Sequence, residues 1–154
     1  MNKFTKYGKF MNILCFKGAN FLSKHKFLYY FLNLTWGLIV TLIGFLVSLL
    51  MLLTFHKPYK YANTTYYFMI GKDWGGLELG LCFICEKIDN KDLKNHELGH
   101  TYQNAILGPL FIFLVWIPSM IRYQYLVHIK KDTSNYDGIW FEYNASMTGT
   151  FLGE

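Results

Sequence analysis

The chain has 154 residues, of which 53% are hydrophobic, 19% aromatic and 16% charged, with a net charge of +5. That length holds one domain or less, and so apolar a composition excludes an ordinary water-soluble domain. Cys15, Cys82 and Cys85 supply no disulfide framework, and Cys82-x-x-Cys85 lacks the second pair of a zinc ribbon.

Residues 1–26 form a basic arm. Lys3, Lys6, Lys9, Lys17, Lys24 and Lys26 fall in residues 1–56, which carry no acidic side chain. Such a bias beside a first apolar span places the N-terminus in the cytoplasm and the chain in the cytoplasmic membrane. Phe4, Tyr7, Met11 and Leu14 recur near the helical period. The arm is therefore expected on the inner leaflet, its lysines among anionic lipid headgroups. Because those lysines adjoin a membrane span, lipid is the expected partner and nucleic acid is not.

Residues 27–55 run for 29 positions without a charged side chain. A helix of that length is roughly 43 Å long, more than a hydrocarbon core of about 30 Å requires. The run is too long for a signal-peptide core and lacks a small-residue cleavage site. One long transmembrane helix is predicted. Gly37, Thr41, Gly44 and Ser48 form a seam of small residues along it, and the helix described below is its expected packing partner.

Residues 56–154 form the third region. A basic, proline-containing exit leads to the β-branched and aromatic residues 64–70, then to turn chemistry at 71–76 and an alternating stretch at 77–84. This pattern predicts a β-hairpin. Its edge either pairs with an extended peptide or caps the next helix.

That helix is expected from near Asp92 to Leu107, and it carries His96-Glu97-Leu98-Gly99-His100. Histidines at i and i+4 share a helix face, so both imidazoles reach one metal. Glu97, beside the first of them, is placed to act on a metal-activated water as general base. Gly108-Pro109 interrupts the helix, an apolar stretch follows, and Pro118-Ser119 interrupts again. A polar loop at 130–138 precedes a short last helix over 139–147 with Asp137 as cap. The fold class expected is a mainly α membrane protein. It has one long transmembrane helix, a β-hairpin, an HExxH helix running into a proline-broken apolar segment, and a short C-terminal helix.

A catalytic zinc takes three protein ligands and keeps one open position. The candidates downstream of the histidines are Asp137 and Glu142, with His128 less favoured. If residues 106–125 crossed a bilayer completely, these would emerge on the wrong side. Either the segment is re-entrant, broken at both prolines, or the metal lies at membrane depth in a protein-lined cavity. Residues 56–105 hold as many Lys as Asp and Glu, so charge leaves the side open.

The string from His96 to Gln103, then Leu107-Gly108-Pro109-Leu110, then Ile117-Pro118-Ser119, resembles a group of small bacterial membrane proteins. Their pattern is HExGHxxQ…LGPL…(I/L)PS, followed by T-E-x-W-A. Phe141-Glu142-Tyr143-Asn144-Ala145 is similar to that last element in its glutamate and alanine, not in its threonine and tryptophan. Gly75-Gly76 with Leu79-Gly80 looks like the group's upstream G-G-x-x-L-G element. The resemblance covers residues 70–147 and implies a zinc metallopeptidase with His96, His100 and Glu142 as ligands. A weaker resemblance, through Asn135-Tyr136-Asp137-Gly138, is to site-2-type intramembrane proteases, and it implies Asp137 instead.

On this reading Zn2+ activates water, Glu97 is the base, and the substrate is a peptide or membrane protein. Gln103 either orients a ligand or satisfies buried backbone. Tyr136, Tyr143 and His128 are the candidates to stabilise an oxyanion. The alternative is a non-catalytic scaffold or accessory protein with a structural or vestigial metal site.

Overall fold

The computed structural model describes residues 4–62, 64–87 and 89–153. It is mostly helical, with one small mixed sheet. Helix α1 (Lys6–Lys24) starts where the Thr5 hydroxyl accepts a hydrogen bond from the Gly8 N–H. Its Met11, Cys15, Ala19 and Leu22 recur every three or four residues and are all buried. They pack among residues of the two helices that build the site, so the arm is part of the protein core. Tyr7, Phe10, Ile13 and Leu14 remain exposed.

The long apolar run is not one helix. It divides into α2 (Lys26–Thr35) and α3 (Leu38–Leu53), bent by 91° at Trp36-Gly37. The bend is held by the end of the HExxH helix. The Asn104 amide donates to Asn33 Oδ1 and to the Gly37 carbonyl, and the Trp36 indole lies against Gly108. The predicted straight span fails because α2 buries a polar face, Tyr29 and Asn33, against protein. The small-residue seam also faces elsewhere than expected. Only Gly37 meets the HExxH helix; Thr41 and Gly44 press on the Leu79-Gly80 turn, and Ser48 on Cys82.

Strands β1 (Tyr59–Tyr61), β2 (Thr65–Met69), β3 (Gly76–Leu79) and β4 (Cys82–Cys85) lie in the order β1-β2-β4-β3. The predicted hairpin between residues 64–70 and 77–84 is replaced by a different pairing. Residues 70–75 cross to the far edge, β3 turns back at Gly80-Leu81, and β4 inserts beside β2 in parallel. Gly80 breaks the alternating stretch in two. Its φ of +79° suits glycine, and a Cβ there would meet Thr41 Oγ1 at 2.3 Å.

Helix α4 (Lys91–Leu107) carries the motif. Asn90 caps it by accepting from the Leu93 N–H, and it ends at Gly108, whose φ is +56°. From Pro109 the chain reverses into α5 (Pro109–Lys130), 22 residues long and apolar enough to cross a membrane. Pro118 does not break α5. Residues Ile112–Trp116 widen into a π-helical turn just before it, which accommodates the ring and its missing N–H.

Because α5 runs back along α4, the loop after it is returned to the histidines without a second break. That loop is tied down by the Arg122 guanidinium, which donates to the Tyr136 carbonyl, and by a Ser119–Tyr136 hydroxyl pair. Helix α6 (Trp140–Leu152) then packs along α4. At that interface the backbones nearly touch. A Cβ on Gly99 would meet the Ala145 carbonyl at 2.0 Å, and one on Gly149 the Asn95 carbonyl at 1.6 Å.

Candidate metal centre

The glycine contacts between α4 and α6 decide the site, because they bring Glu142 in the first turn of α6 within reach of the motif. Glu142 Oε2 lies 3.1 Å from His96 Nε2 and 3.2 Å from His100 Nε2. The two Nε2 atoms are themselves 3.1 Å apart. His100 and Glu142 are buried, and His96 is nearly so.

Three electron-rich atoms at such distances need a proton or a cation among them. A tetrahedral zinc with bonds of about 2.05 Å sets its ligand atoms roughly 3.3 Å apart, close to the triangle observed. The second carboxylate oxygen, Glu142 Oε1, is buried without a hydrogen-bond partner. Donor set, spacing and orphaned oxygen together fit a divalent ion of the zinc type.

The other ring nitrogens are engaged. His96 Nδ1 lies 2.8 Å from Ser146 Oγ, and His100 Nδ1 lies 2.8 Å from Gln103 Oε1. Such contacts to the far side of an imidazole fix its orientation.

Glu97 does not join the triangle. It points to β3, where the Glu78 backbone N–H faces its carboxylate. Gly76 leaves the room for it, since a Cβ there would meet Glu97 Oε1 at 2.7 Å. Burial pushes the Glu97 pKa up to about 7, opposed by His100 and assisted by the charge of Glu142. Glu142 goes the other way. Burial disfavours its charge, but the His100 and His96 imidazoles beside it outweigh this and hold the carboxyl below its usual range.

A cavity of about 40 Å³ adjoins the triangle, lined by Gly76, Glu97, Phe111, Val115, Ser119 and Tyr136 among others. A cleft of about 490 Å³ shares His96, Glu97 and Tyr136 with it and is walled by Trp74, Leu93, Met120 and Tyr123. The Tyr136 ring centroid is 5.8 Å from that of His96. Burial and the Glu142 charge push the Tyr136 phenol upward, so it stays a hydrogen-bond donor.

The structure therefore brings His96, Glu97, His100, Gln103, Tyr136 and Glu142 together. Asp137 does not belong to the triangle. It lies exposed in the short turn Tyr136–Gly138, one residue past the tyrosine that faces the site. Tyr143, next to Glu142 on α6, turns away and packs against Phe4, just before α1. His128 is exposed near the end of α5. Three participants were not anticipated from the sequence: Ser146, Asn144 and Asn12. Ser146 lies one turn beyond Glu142, and the spacing Ala145-x-x-x-Gly149 was the available sign that this face packs closely. Compared with known proteins, the chain matches no family model, no curated protein and no solved structure.

Proposed function

We propose that this chain is a membrane-embedded zinc metallopeptidase in which His96, His100 and Glu142 hold the ion and Glu97 is the general base. The observation that carries the reading is the triangle of Nε2, Nε2 and Oε2 atoms 3.1–3.2 Å apart, with a second carboxylate beside it. Zinc bound there would lower the pKa of a water and polarise the carbonyl of a peptide bond.

The protein's own part follows from the two glutamates. The Glu97 carboxylate takes the proton of the attacking water and later gives it to the leaving nitrogen. A pKa near neutrality suits a group that must both accept and donate. Tyr136 donates its phenolic hydrogen toward charge developing on the carbonyl oxygen. Phe111 and Val115 exclude bulk water from that side. The apolar and aromatic walls of the larger cleft fit an uncharged, apolar stretch of polypeptide.

A membrane setting is supported by α5, whose Leu110, Phe113, Ile117, Ile121 and Ile129 are exposed. The same holds for α3, with Leu46, Leu49, Leu50 and Leu53 exposed. The lysines of α1 remain the feature that would face anionic lipid of the cytoplasmic leaflet, with the N-terminus inside.

The non-catalytic alternative, a scaffold whose ion serves folding, has one observation on its side. The cavity next to the triangle is only about 40 Å³, room for water and little more. Glu97→Gln separates the two readings. A peptidase variant keeps stoichiometric zinc and loses peptide cleavage, whereas a scaffold shows no change in either.

A further inference from the structure

We infer that Asn144 and Asn12 are positioning residues of the proposed metal centre, holding Gln103 so that His100 presents the lone pair of Nε2 to the ion. This rests on the metal-site reading above. The Asn144 amide nitrogen is 3.1 Å from the Asn12 backbone carbonyl and 2.8 Å from Asn12 Oδ1. A backbone carbonyl only accepts, so this side of Asn144 is its NH2 group and its Oδ1 points the other way.

That Oδ1 is met by the Gln103 amide nitrogen at 2.8 Å, and the same nitrogen is 2.9 Å from the Phe141 carbonyl. Gln103 is thereby oriented too, with Oε1 turned to His100 Nδ1 at 2.8 Å. An acceptor at Nδ1 requires the proton on Nδ1, which leaves Nε2 free to bind a cation.

The amide nitrogens of Gln103 and Asn144 each meet two acceptors, and both residues are fully buried. Reversing either amide sets oxygen against oxygen and leaves buried N–H groups without partners. The inner end lies on the motif helix, the middle on α6 and the outer end on α1. The basic N-terminal segment thus has a task at the metal centre distinct from any contact with lipid.

The test uses the full chain, labelled with 15N and freed of metal, at a pH where imidazole is neutral. Long-range 1H–15N correlation reads which nitrogen of His100 carries hydrogen, and titration with zinc alone reads affinity. The expected result is Nδ1–H only in the wild type. Asn144→Leu gives a mixture of tautomers and a zinc Kd raised roughly tenfold, the lower end for groups supporting a ligand. Asn12→Leu shifts both in the same direction by less. Asn12→Asp, which still accepts from Asn144, stays within about twofold of wild type.

An Nε2–H tautomer in the wild-type protein overturns the inference without any variant, which keeps it testable if Asn144→Leu does not fold. So does a folded Asn144→Leu protein with unchanged tautomer and unchanged Kd. Zinc stoichiometry judges the metallopeptidase reading and the metal-free spectrum judges the amide chain, so the two fail separately.

Discussion

The two flanks of α4 treat the same chemical group in opposite ways. On the α6 flank, Glu142 is buried against two imidazoles and stays ionised. On the β3 flank, Glu97 is buried against a backbone N–H and a glycine and holds its proton up to about pH 7. Burial is common to both, so the partners alone set the difference. One carboxylate is suited to grip a cation and the other to carry a proton, and the division of labour is written in which helix or strand each one faces.

Removing the charge on the α6 flank should have the largest effect. Glu142→Gln is expected to bring zinc from one ion per chain to background in metal analysis, and peptide cleavage to nothing. The matching change on the other flank spares the ion. Glu97→Gln should retain zinc while lowering the cleavage rate by roughly 100- to 10,000-fold, as measured with a quenched peptide.

The comparison extends to stability without metal. The folded pKa of Glu97 lies above its unfolded value of 4.5, so its stabilising contribution is complete below that value and lost as pH rises through about 7. Glutamine mimics the protonated form. Chelator-treated Glu97→Gln should exceed wild type by roughly 3 kcal/mol at pH 8 and match it at about pH 4 and below in urea denaturation. Glu142 has the opposite sign: its contribution is present above the usual carboxylate pKa and fades only as pH falls through its depressed value. The smallest effect is expected at the edge of the α6 flank. Ser146→Ala frees His96 Nδ1 and should weaken zinc by roughly tenfold in a chelator competition.

Much of the α4 neighbourhood was legible in the sequence. The i and i+4 histidines and the Gly108-Pro109 interruption are local features, and local rules found the helix to within a residue. The need for a third ligand left Asp137 and Glu142 open, the resemblance favoured Glu142, and the structure groups Glu142 with the two histidines. The failures are all tertiary. Hydropathy along residues 27–55 reports apolar surface but not direction. The right angle at Trp36-Gly37 depends on Asn104 and Gly108, far away in the chain. Pro118 read as a break because nothing local announces the π-helical turn that absorbs it. The alternating stretch 77–84 read as one strand because the demand on Gly80 comes from Thr41 across the fold. Asn12 lay in a segment whose lysines drew attention to its charge and away from its buried side.

Gly76 carries a lesson for natural variation. Any Cβ at this position would land 2.7 Å from the acid oxygen of Glu97. Tolerance at the strand therefore depends on how far the acid opposite can swing aside. Alanine or serine at position 76 would push the end of that flexible side chain off the Glu78 N–H while leaving the strand in place.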